Sequence, residues 1–377
     1  MPSPSSSLNA ESKTMAKVPL LSFAIHVTYT CPLSCAHCCF SSSPQNRDRL
    51  HFDHIAATID EIPEGIRLIA FTGGEPFLLG DALVNLVRRA SGKGAKTRIV
   101  TSAYWAKSDR SCEKRLRPLV DAGLDELSVS WDDFHEKFVD FANVRNAWTG
   151  AKRLGLDVGI STVQAANSKW TTERVRAELG IEGEEQLRHA ETPLNLTGRA
   201  VEQLQEAGLR PQRTVGPCPF VLTGPTLSAK NKLLACCGVI PDTEQLVLDS
   251  NFRPENLRSA IERGMQNSLL NWIYLRGPYN IIEWIGNRWG VEIPPKSEVG
   301  GNCEACARLF TTPGIREYVE PAVKEMARTI ADEITVLDAI GLLNPASLHS
   351  LWASDGVISD DGMASGNVRR RLPLFPA

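Results

Sequence analysis

The chain shows a repeating pattern from residue 20 to about residue 199, in which short apolar runs alternate with longer amphipathic stretches. The apolar runs are rich in β-branched residues and predict strands, whereas the longer stretches have helical spacing. The predicted strands cover residues 21–29, 66–72, 97–101, 126–131 and 156–163, with a sixth expected within residues 185–196. The predicted helices cover residues 52–62, 81–91, 111–122, 139–154 and 171–179. Because parallel strands need crossover connections, this alternation predicts an α/β fold with a partial (β/α)6 barrel.

The pattern changes beyond residue 199, where the alternation lapses and Gly, Pro and Cys become frequent. We expect a hairpin with its turn near residues 229–232, helices over 253–263 and 268–288, and a Gly-Gly turn before Cys303. The predicted organisation is a disordered leader over residues 1–17, the barrel over 18–205, a small cysteine-rich α+β domain over 206–315, and helices with a polar tail over 316–377.

The overall charge and the N-terminal segment exclude several classes of partner. The chain has 377 residues and a formal net charge of -3, which gives no field to attract nucleic acid or an anionic membrane. No segment approaches the roughly 20 continuous apolar residues of a membrane span. The first 13 residues are rich in Ser and Pro and lack the apolar region of a secretion signal. We therefore expect a cytoplasmic protein.

The ten cysteines are unevenly distributed. Four lie between Cys31 and Cys39, and Cys112 stands alone on a predicted helix, where it is expected to pack in the core. The remaining five are Cys218, Cys236, Cys237, Cys303 and Cys306. Disulfides rarely persist in the cytoplasm, so clustered thiols there more often hold metal than pair with each other.

The first cluster has the form CxxxCxxC, with its cysteines at Cys31, Cys35 and Cys38. Such close spacing lets one loop supply three thiolates to an iron–sulfur cluster. A [4Fe–4S] cluster held by three cysteines leaves one iron open to a substrate or cofactor. The alternative is a zinc knuckle that also uses His37. Cys39 is interpreted as a spare core thiol because it adjoins Cys38.

Three further segments follow predicted strands. Residues 73–76 follow the second strand, Thr101 and Ser102 follow the third, and residues 131–133 follow the fourth. The carboxyl ends of parallel strands meet on one rim, where α/β barrels carry their chemistry. We therefore expect these segments to gather around the cysteine loop, which follows the first strand.

On these motifs the chain resembles the radical S-adenosylmethionine (radical SAM) superfamily. His37 is an aromatic residue just before the third cysteine, as in that family's signature, and residues 72–76, Thr-Gly-Gly-Glu-Pro, resemble its GGEP element. The resemblance implies that Cys31, Cys35 and Cys38 are the catalytic cluster ligands and that the open iron chelates S-adenosylmethionine. Reduction of the cluster, by a reductase or flavodoxin-type electron donor, would then release methionine and a 5′-deoxyadenosyl radical.

The resemblance also implies a set of cofactor contacts. The residues concerned are Gly73, Gly74, Glu75 and Pro76 for the methionine part, Thr101, Ser102, Ser130 and Asp132 for the ribose, and His37, Ile160 and Val163 for adenine. Glu75 can pair with the methionine ammonium group. Arg199, in a Gly-Arg-Ala segment that some relatives carry, is interpreted as a residue near the cofactor. The segment 133–135 could place the His135 imidazole over the barrel mouth, but we expect His135 to be a surface histidine.

The second cysteine set resembles the C-terminal SPASM or twitch extension of radical SAM enzymes. In that resemblance the auxiliary ligands are Cys218, one cysteine of the Cys236–Cys237 pair, Cys303 and Cys306. A full SPASM domain carries seven cysteines and two clusters, whereas five cysteines remain here, so one auxiliary [4Fe–4S] cluster is expected. Structural zinc on the same four thiolates is the alternative. The spacing does not decide between Cys236 and Cys237.

The expected function is radical tailoring of a small molecule or a peptide. Oxidative bond formation, dehydrogenation, epimerisation and sulfur insertion all remain open. The N-terminal segment is too short for the leader-binding winged-helix domain that ribosomal peptides normally call for, which favours a small metabolite or a peptide presented by another protein. The non-enzyme alternative is a zinc-binding interaction module with two cysteine knuckles. That module accounts for the cysteines but not for the GGEP element or the strand–helix alternation.

Overall fold

The computed structural model describes residues 18–181, 187–204, 215–238 and 243–354. The expected leader and the end of the expected polar tail lie outside these ranges. The strands are β1 (Ser22–Thr28), β2 (Leu68–Gly73), β3 (Lys96–Thr101), β4 (Glu126–Ser130), β5 (Asp157–Gln164), β6 (Arg188–Pro193), β7 (Thr226–Leu227), β8 (Leu233–Leu234) and β9 (Val247–Asp249). They form one nine-stranded sheet in the order β6-β5-β4-β3-β2-β1-β7-β8-β9.

Helices follow each of the first six strands. The helices of this half are α1 (Phe52–Glu61), α2 (Asp81–Ser91), α3 (Asp109–Asp121), α4 (Phe141–Arg153), α5 (Thr172–Leu179) and the short α6 (Ala200–Gln203). Strands β1–β6 are all parallel, and consecutive helices α1 to α4 contact one another. The sheet does not close, because β6 is an edge strand. The predicted α/β fold with a partial (β/α)6 barrel is therefore confirmed.

A row of apolar side chains crosses the barrel strands and explains why these runs are apolar. Ile25, Phe71, Ile99, Leu127 and Val158 are paired from strand to strand in register. Each is at most 2% exposed. Burying a side chain of this size contributes about 1.5–3 kcal/mol, so the register that aligns this row is strongly favoured over a one-residue slip.

Local caps determine where two of the helices begin. Ser108 and Ser111 form a capping box at the start of α3, and the Asp140 side chain accepts the Ala142 N–H at the start of α4. Such side chains satisfy backbone N–H groups that have no partner inside the helix. As a result α3 begins two residues before the predicted start at residue 111, and α4 two residues after the predicted start at residue 139.

The second half of the chain continues the barrel sheet. Strand β7 pairs in parallel with β1, and β8 and β9 follow antiparallel, with the predicted turn at residues 229–232 between β7 and β8. Six helices or helix segments complete this half: α7 (Leu257–Met265), α8 (Ser268–Arg276), α9 (Pro278–Trp289), α10 (Asn302–Thr311), α11 (Val319–Ala339) and α12 (Pro345–Ser354).

Two hydrophobic cores lie on the two halves of this sheet. The barrel core also takes in Leu227, Leu233 and Leu257 from the second half. The second core is built mainly from α8 to α11, and α11 packs on both α8 and α9. The two halves are thus joined by shared strands, and the domain boundaries at residues 205 and 315 stay predictions.

The expected single helix over residues 268–288 is wrong, because the chain breaks at Gly277. This glycine has a φ of 83°, and a Cβ atom there would overlap the backbone of Gly216. Pro278 then occupies the first turn of α9, where its missing N–H costs nothing. The break depends on a contact with a segment 61 positions earlier, which helical spacing alone does not reveal.

No helix in the described part of the chain combines the length and the apolar character that a membrane crossing requires.

An ion cluster lies near the amino ends of the barrel strands, away from the cysteine loop. Glu126 in β4 pairs with Arg98 in β3 at 2.7 Å and also with Arg188 in β6. The side chains of Arg98 and Glu126 are each 9% exposed. Arg188 reaches onward to Asp157 in β5. The cluster therefore ties together four neighbouring strands.

We predict that Glu126→Ala destabilises the protein by about 3–5 kcal/mol, because it leaves a buried Arg98 charge without its partner. Glu113→Ala is the matched control, since its ion pair with Arg117 on α3 is exposed and is worth about 0–1 kcal/mol. Urea unfolding followed by circular dichroism measures both. Equal losses in the two variants would show that the cluster does not stabilise the barrel.

Candidate functional site

The carboxyl ends of the barrel strands open into a chamber of about 420 Å³. The loop after β1 brings Cys31, Cys35 and Cys38 to its wall. All five cysteines of the second set line the same chamber: Cys218, Cys236, Cys237, Cys303 and Cys306. The structure therefore brings together two cysteine sets that are about 180 residues apart in sequence.

Backbone N–H groups point at two sulfurs of the first loop. The Leu33 N–H donates to Cys31 Sγ at 3.5 Å, and the Ser42 N–H donates to Cys38 Sγ at 3.4 Å. Burial raises the pKa of the Cys31 thiol to about 12, and it raises the pKa of Cys35 as well. These thiols therefore carry protons at neutral pH, and metal binding has to displace them.

The spacing of the thiols argues against a single tetrahedral ion. Zinc–sulfur bonds of about 2.3 Å place ligand sulfurs about 3.8 Å apart. Among the described residues, the group whose ligand atoms all lie within 4.8 Å of one another is Cys35 with His37 and His135, and it contains one thiol. In neither cysteine set are three sulfurs close enough to bind one ion. The thiolates of a [4Fe–4S] cluster bind different irons and can lie farther apart, so the three-thiol loop fits a [4Fe–4S] cluster.

Two glycines let the end of β2 pass close to the cysteine loop. Gly73 has a φ of 118°, and a Cβ atom on Gly74 would overlap the backbone of Thr30. The Gly74 N–H donates to the Thr28 carbonyl at 2.6 Å. Gly73 and Gly74 both line the chamber. Backbone is therefore exposed to a ligand at this position.

Glu75 is completely buried and lies outside the chamber lining. Its carboxylate accepts the Thr101 hydroxyl at 2.8 Å, the Ser102 hydroxyl at 2.7 Å, the Ser102 N–H at 3.0 Å and the Phe77 N–H at 3.2 Å. The Thr101 and Ser102 hydroxyls, which we expected near a ribose, are thus committed to Glu75. Pro76 is also buried, at the start of a short 3-10 helix. The contacts assigned to these four residues stay predictions.

Asp132 is a second buried carboxylate, at the end of β4. Its Oδ1 accepts the N–H groups of Phe134 and His135 and lies 2.9 Å from His135 Nδ1. Its Oδ2 accepts the Val163 N–H at 3.3 Å and lies 3.6 Å from His37 Nε2. Burial opposes ionisation, but His135 and His37 hold the pKa of this carboxyl well below its usual range.

The expectation that His135 is a surface residue is wrong. Its side chain is 12% exposed, bonds to Asp132 and lines the chamber. The His37 ring packs against Phe134 and His135, with centroid distances of 4.7 Å and 5.0 Å. The Asp-x-x-His spacing of Asp132 and His135 could have predicted this contact, because a carboxylate at the start of a helical turn can reach a side chain three residues later.

The remaining cofactor candidates fall into two groups. Ser130 and Val163 line the chamber, together with His37, whose buried Nδ1 has no hydrogen-bond partner in the described structure. Ile160 is buried in β5 and lies outside the lining. The adenine and ribose contacts assigned to these residues stay predictions, as does that of Asp132.

In the second set, Cys237 is the thiol that interacts with all the others. A hydrogen bond with Cys237 raises the pKa of both Cys236 and Cys303. Burial raises the pKa of Cys306, and the charges of Cys218 and Cys237 add to it. Cys303 also interacts with Cys218 and Cys306. Electrostatic interactions therefore link every pair among Cys218, Cys237, Cys303 and Cys306, and Cys236 interacts with Cys237 and Cys218.

His26 on β1 lies against this second set, although no pattern in the sequence selects it. Its ring is fully buried, Nδ1 lies 3.1 Å from the Tyr29 hydroxyl, and the ring interacts with the Cys237 backbone. Burial lowers the pKa of His26 to about 4, so the ring is neutral. Gly238, directly after Cys237, lies so close that a Cβ there would be 2.6 Å from His26 Cε1.

Cys39 is not the core thiol that we expected. It is partly exposed on the chamber wall, next to Cys38. Burial of its sulfur raises its pKa, and the charges of Cys38 and Cys237 add to the effect. Cys39 therefore lies between the two cysteine sets. Cys112, by contrast, is 1% exposed within α3 and packs in the barrel core.

Comparison with known proteins gives related sequences that cover part of the chain. The chain is 26% identical over 159 residues to the putative peptide biosynthesis protein YydG of Bacillus subtilis (strain 168), covering 42% of this chain and 50% of that protein. It is 34% identical over 159 residues to the PqqA peptide cyclase of Bradyrhizobium diazoefficiens, covering 41% and 36%. It is 34% identical over 116 residues to the GTP 3′,8-cyclase of Chlorobaculum tepidum, covering 30% and 34%. The chain thus spans half or less of the length of these curated relatives.

A solved structure and a family model also match. The structure of native anSMEcpe with bound AdoMet and Cp18Cys peptide matches with a TM-score of 0.49 and 12% identity, covering 85% of this chain and 100% of that chain. The family model described as the Radical SAM superfamily matches residues 25–160. This range includes the CxxxCxxC loop, the glycine pair, strands β2 to β4 and parts of β1 and β5. Residues 25–160 of the chain are thus identified as a radical SAM domain.

Proposed function

We propose that the chain is a radical SAM enzyme that tailors a peptide or an uncharged small molecule. The observation that carries the proposal is the common chamber, in which Cys31, Cys35 and Cys38 stand on one loop beside Gly73 and Gly74. The relatives named as a peptide biosynthesis protein and a peptide cyclase support the peptide reading. Electrons would come from a reductase or a flavodoxin-type donor.

Different residues around the chamber would have different roles in the reaction. The three thiolates would hold a [4Fe–4S] cluster, and the N–H groups of Leu33 and Ser42 would stabilise charge on two of their sulfurs. When bound, such a cluster supplies the electron that cleaves S-adenosylmethionine to a 5′-deoxyadenosyl radical. Gly73 and Gly74 would let the methionine part approach the backbone. The chamber walls would keep water from the radical.

The second cysteine set would hold one auxiliary [4Fe–4S] cluster. The mutual closeness of Cys218, Cys237, Cys303 and Cys306 supports these four as its ligands. Four protein ligands make a closed site, which suits electron transfer or structure. The lack of three converging sulfurs counts against structural zinc. Cys236 would then remain a free thiol on the chamber wall.

The charge of the chamber favours an uncharged substrate group. Asp132 is the one formally charged side chain among the described lining residues, and neither Lys nor Arg is among them. Phosphate groups are most often held by Arg or Lys, and the start of α10 at Asn302 lines the chamber without either. Hydroxyl and amide groups are present instead, on Ser161, Thr192 and Asn195. The lining therefore suits a peptide side chain or a neutral metabolite better than a nucleoside triphosphate.

We predict that Cys31→Ala, Cys35→Ala and Cys38→Ala each abolish reductive cleavage of S-adenosylmethionine, because each removes one of the three cluster ligands. The measurement is 5′-deoxyadenosine formation by the anaerobically reconstituted, dithionite-reduced protein. Cys112→Ala is the control, since this buried thiol lies outside the chamber. Cleavage that survives in the three loop variants would disprove the proposed function.

We predict that Cys237→Ala lowers the iron content from about eight to about four per chain, because it removes an auxiliary ligand. Cys236→Ala is the matched control and should keep about eight irons. Iron and sulfide assays after reconstitution measure both. The reverse result would identify Cys236 as the ligand. Colourless wild-type protein with stoichiometric zinc would instead support the interaction module.

We predict that GTP neither stimulates 5′-deoxyadenosine formation nor changes in mass, because the chamber offers no cation to its phosphates. A pool of short synthetic peptides with uncharged side chains should stimulate the reaction, and mass spectrometry should detect a modified member. Turnover of GTP, with no response to the peptides, would contradict the assigned substrate class.

A further inference from the structure

Arg199 reaches from the end of the barrel back to the cysteine loop. Its Nη1 donates to the Cys35 carbonyl at 2.7 Å, and its Nη2 donates to the Ser42 carbonyl at 2.6 Å. Its backbone N–H donates to the Cys38 carbonyl at 3.1 Å. Arg199, which follows β6, therefore binds three carbonyls of the loop that follows β1, across 157 to 164 positions of sequence.

The residue before Arg199 allows this close approach. Gly198 has a φ of 55°, and a Cβ atom there would lie 2.6 Å from the Cys38 carbonyl oxygen and overlap that of Cys39. A side chain at this position would push the two segments apart. The Gly-Arg pair and the cysteine loop are thus packed backbone to backbone.

The guanidinium charge of Arg199 has no carboxylate ion-pair partner in the described structure. Its hydrogen bonds go to neutral carbonyl groups of the loop. The buried carboxylates of Glu75 and Asp132 place negative charge near Cys31 and Cys35, and the Arg199 charge opposes them at both positions. A positive charge stabilises thiolates and any anionic group bound to them.

We propose that Arg199 is a positioning residue that clamps the CxxxCxxC loop in its ligand geometry and places a fixed positive charge beside the cluster held there. The proposal rests on the proposed function, because it assumes that the loop binds a cluster. Arg suits this role better than Lys, because its planar guanidinium can bind two separate carbonyls at once. The clamp joins the first and last barrel strands, which no β-ladder connects because the sheet is open.

Two separate effects follow for the loop. Without the guanidinium, the Cys35 and Ser42 carbonyls lose their donors, and the loop opens more often. Without the positive charge, the more negative reduced state of the cluster is less stable, so its reduction potential falls. A Lys at this position keeps the positive charge but cannot bind both carbonyls at once, so the two effects can be measured separately.

The test compares Arg199→Met and Arg199→Lys in the full-length, anaerobically reconstituted protein. Arg328→Met is the control for loss of a positive charge, because Arg328 is 95% exposed on α11. Hydrogen exchange of the metal-free protein reports opening of residues 35–42, and an EPR redox titration without S-adenosylmethionine reports the potential. A separate sample with added S-adenosylmethionine identifies which EPR signal belongs to the cluster with the open iron, because that signal changes on addition. The titration therefore needs no Cys236→Ala or Cys237→Ala background.

We expect exchange in residues 35–42 to rise about tenfold in both Arg199 variants. We expect reduction to become about tenfold less favourable in Arg199→Met, which is about 59 mV for one electron, and to stay near the wild-type value in Arg199→Lys. Exchange and potential that match the Arg328→Met control in both variants overturn the proposal. Faster exchange with an unchanged Arg199→Met potential overturns the electrostatic part.

Two further results are also decisive. If Arg199→Met does not accumulate as folded protein, Arg199→Lys alone decides, and loop exchange equal to the control overturns the clamp. If the wild-type protein takes up no cluster, the proposed function fails. A wild-type cluster whose potential equals that of both Arg199 variants overturns only the electrostatic role of Arg199.

Discussion

The site depends on the close passage of two backbone segments where β1 and β2 end. The Gly74 N–H donates to the Thr28 carbonyl at 2.6 Å, and the Glu75 N–H donates to the Thr30 carbonyl at 3.1 Å. The lack of a side chain on Gly74 permits this contact. Because Cys31 follows directly, the contact determines where the cysteine loop leaves the sheet. A larger residue at position 74 would displace both the cysteine loop and the segment of Gly73 and Gly74.

Two buried carboxylates stabilise the same rim. A carboxylate out of water is costly unless several donors compensate it, and Glu75 obtains them from Thr101, Ser102 and the backbone. Asp132 does the same with His135 and the backbone of β5. These carboxylates join neighbouring strand ends, so the wall of the chamber is rigid before any cofactor binds. The polar residues that follow the strands thus form a supporting layer as well as a lining.

The sequence revealed those features that depend on local pattern. Strands and helices of the barrel follow from burial periodicity, and the motifs gather because parallel strands end on one rim. The partners of individual side chains did not follow, because tertiary packing selects them. The commitment of Thr101 to Glu75, the turn of His135 towards Asp132 and the helix break at Gly277 each depend on a second segment. Cys39 was misplaced for the same reason.

The extension of the sheet beyond β1 explains why two cysteine sets share one chamber. Strand β7 pairs directly with β1, where Ile25 lies opposite Leu227, and the chain then returns through β8 to Cys237. His26, the next residue of β1, lies against Gly238. The same strand thus leads into the first cysteine loop and supports the second set. Because β1 leads into the first cysteine loop and pairs with the hairpin that leads to Cys237, the two sets meet at one chamber.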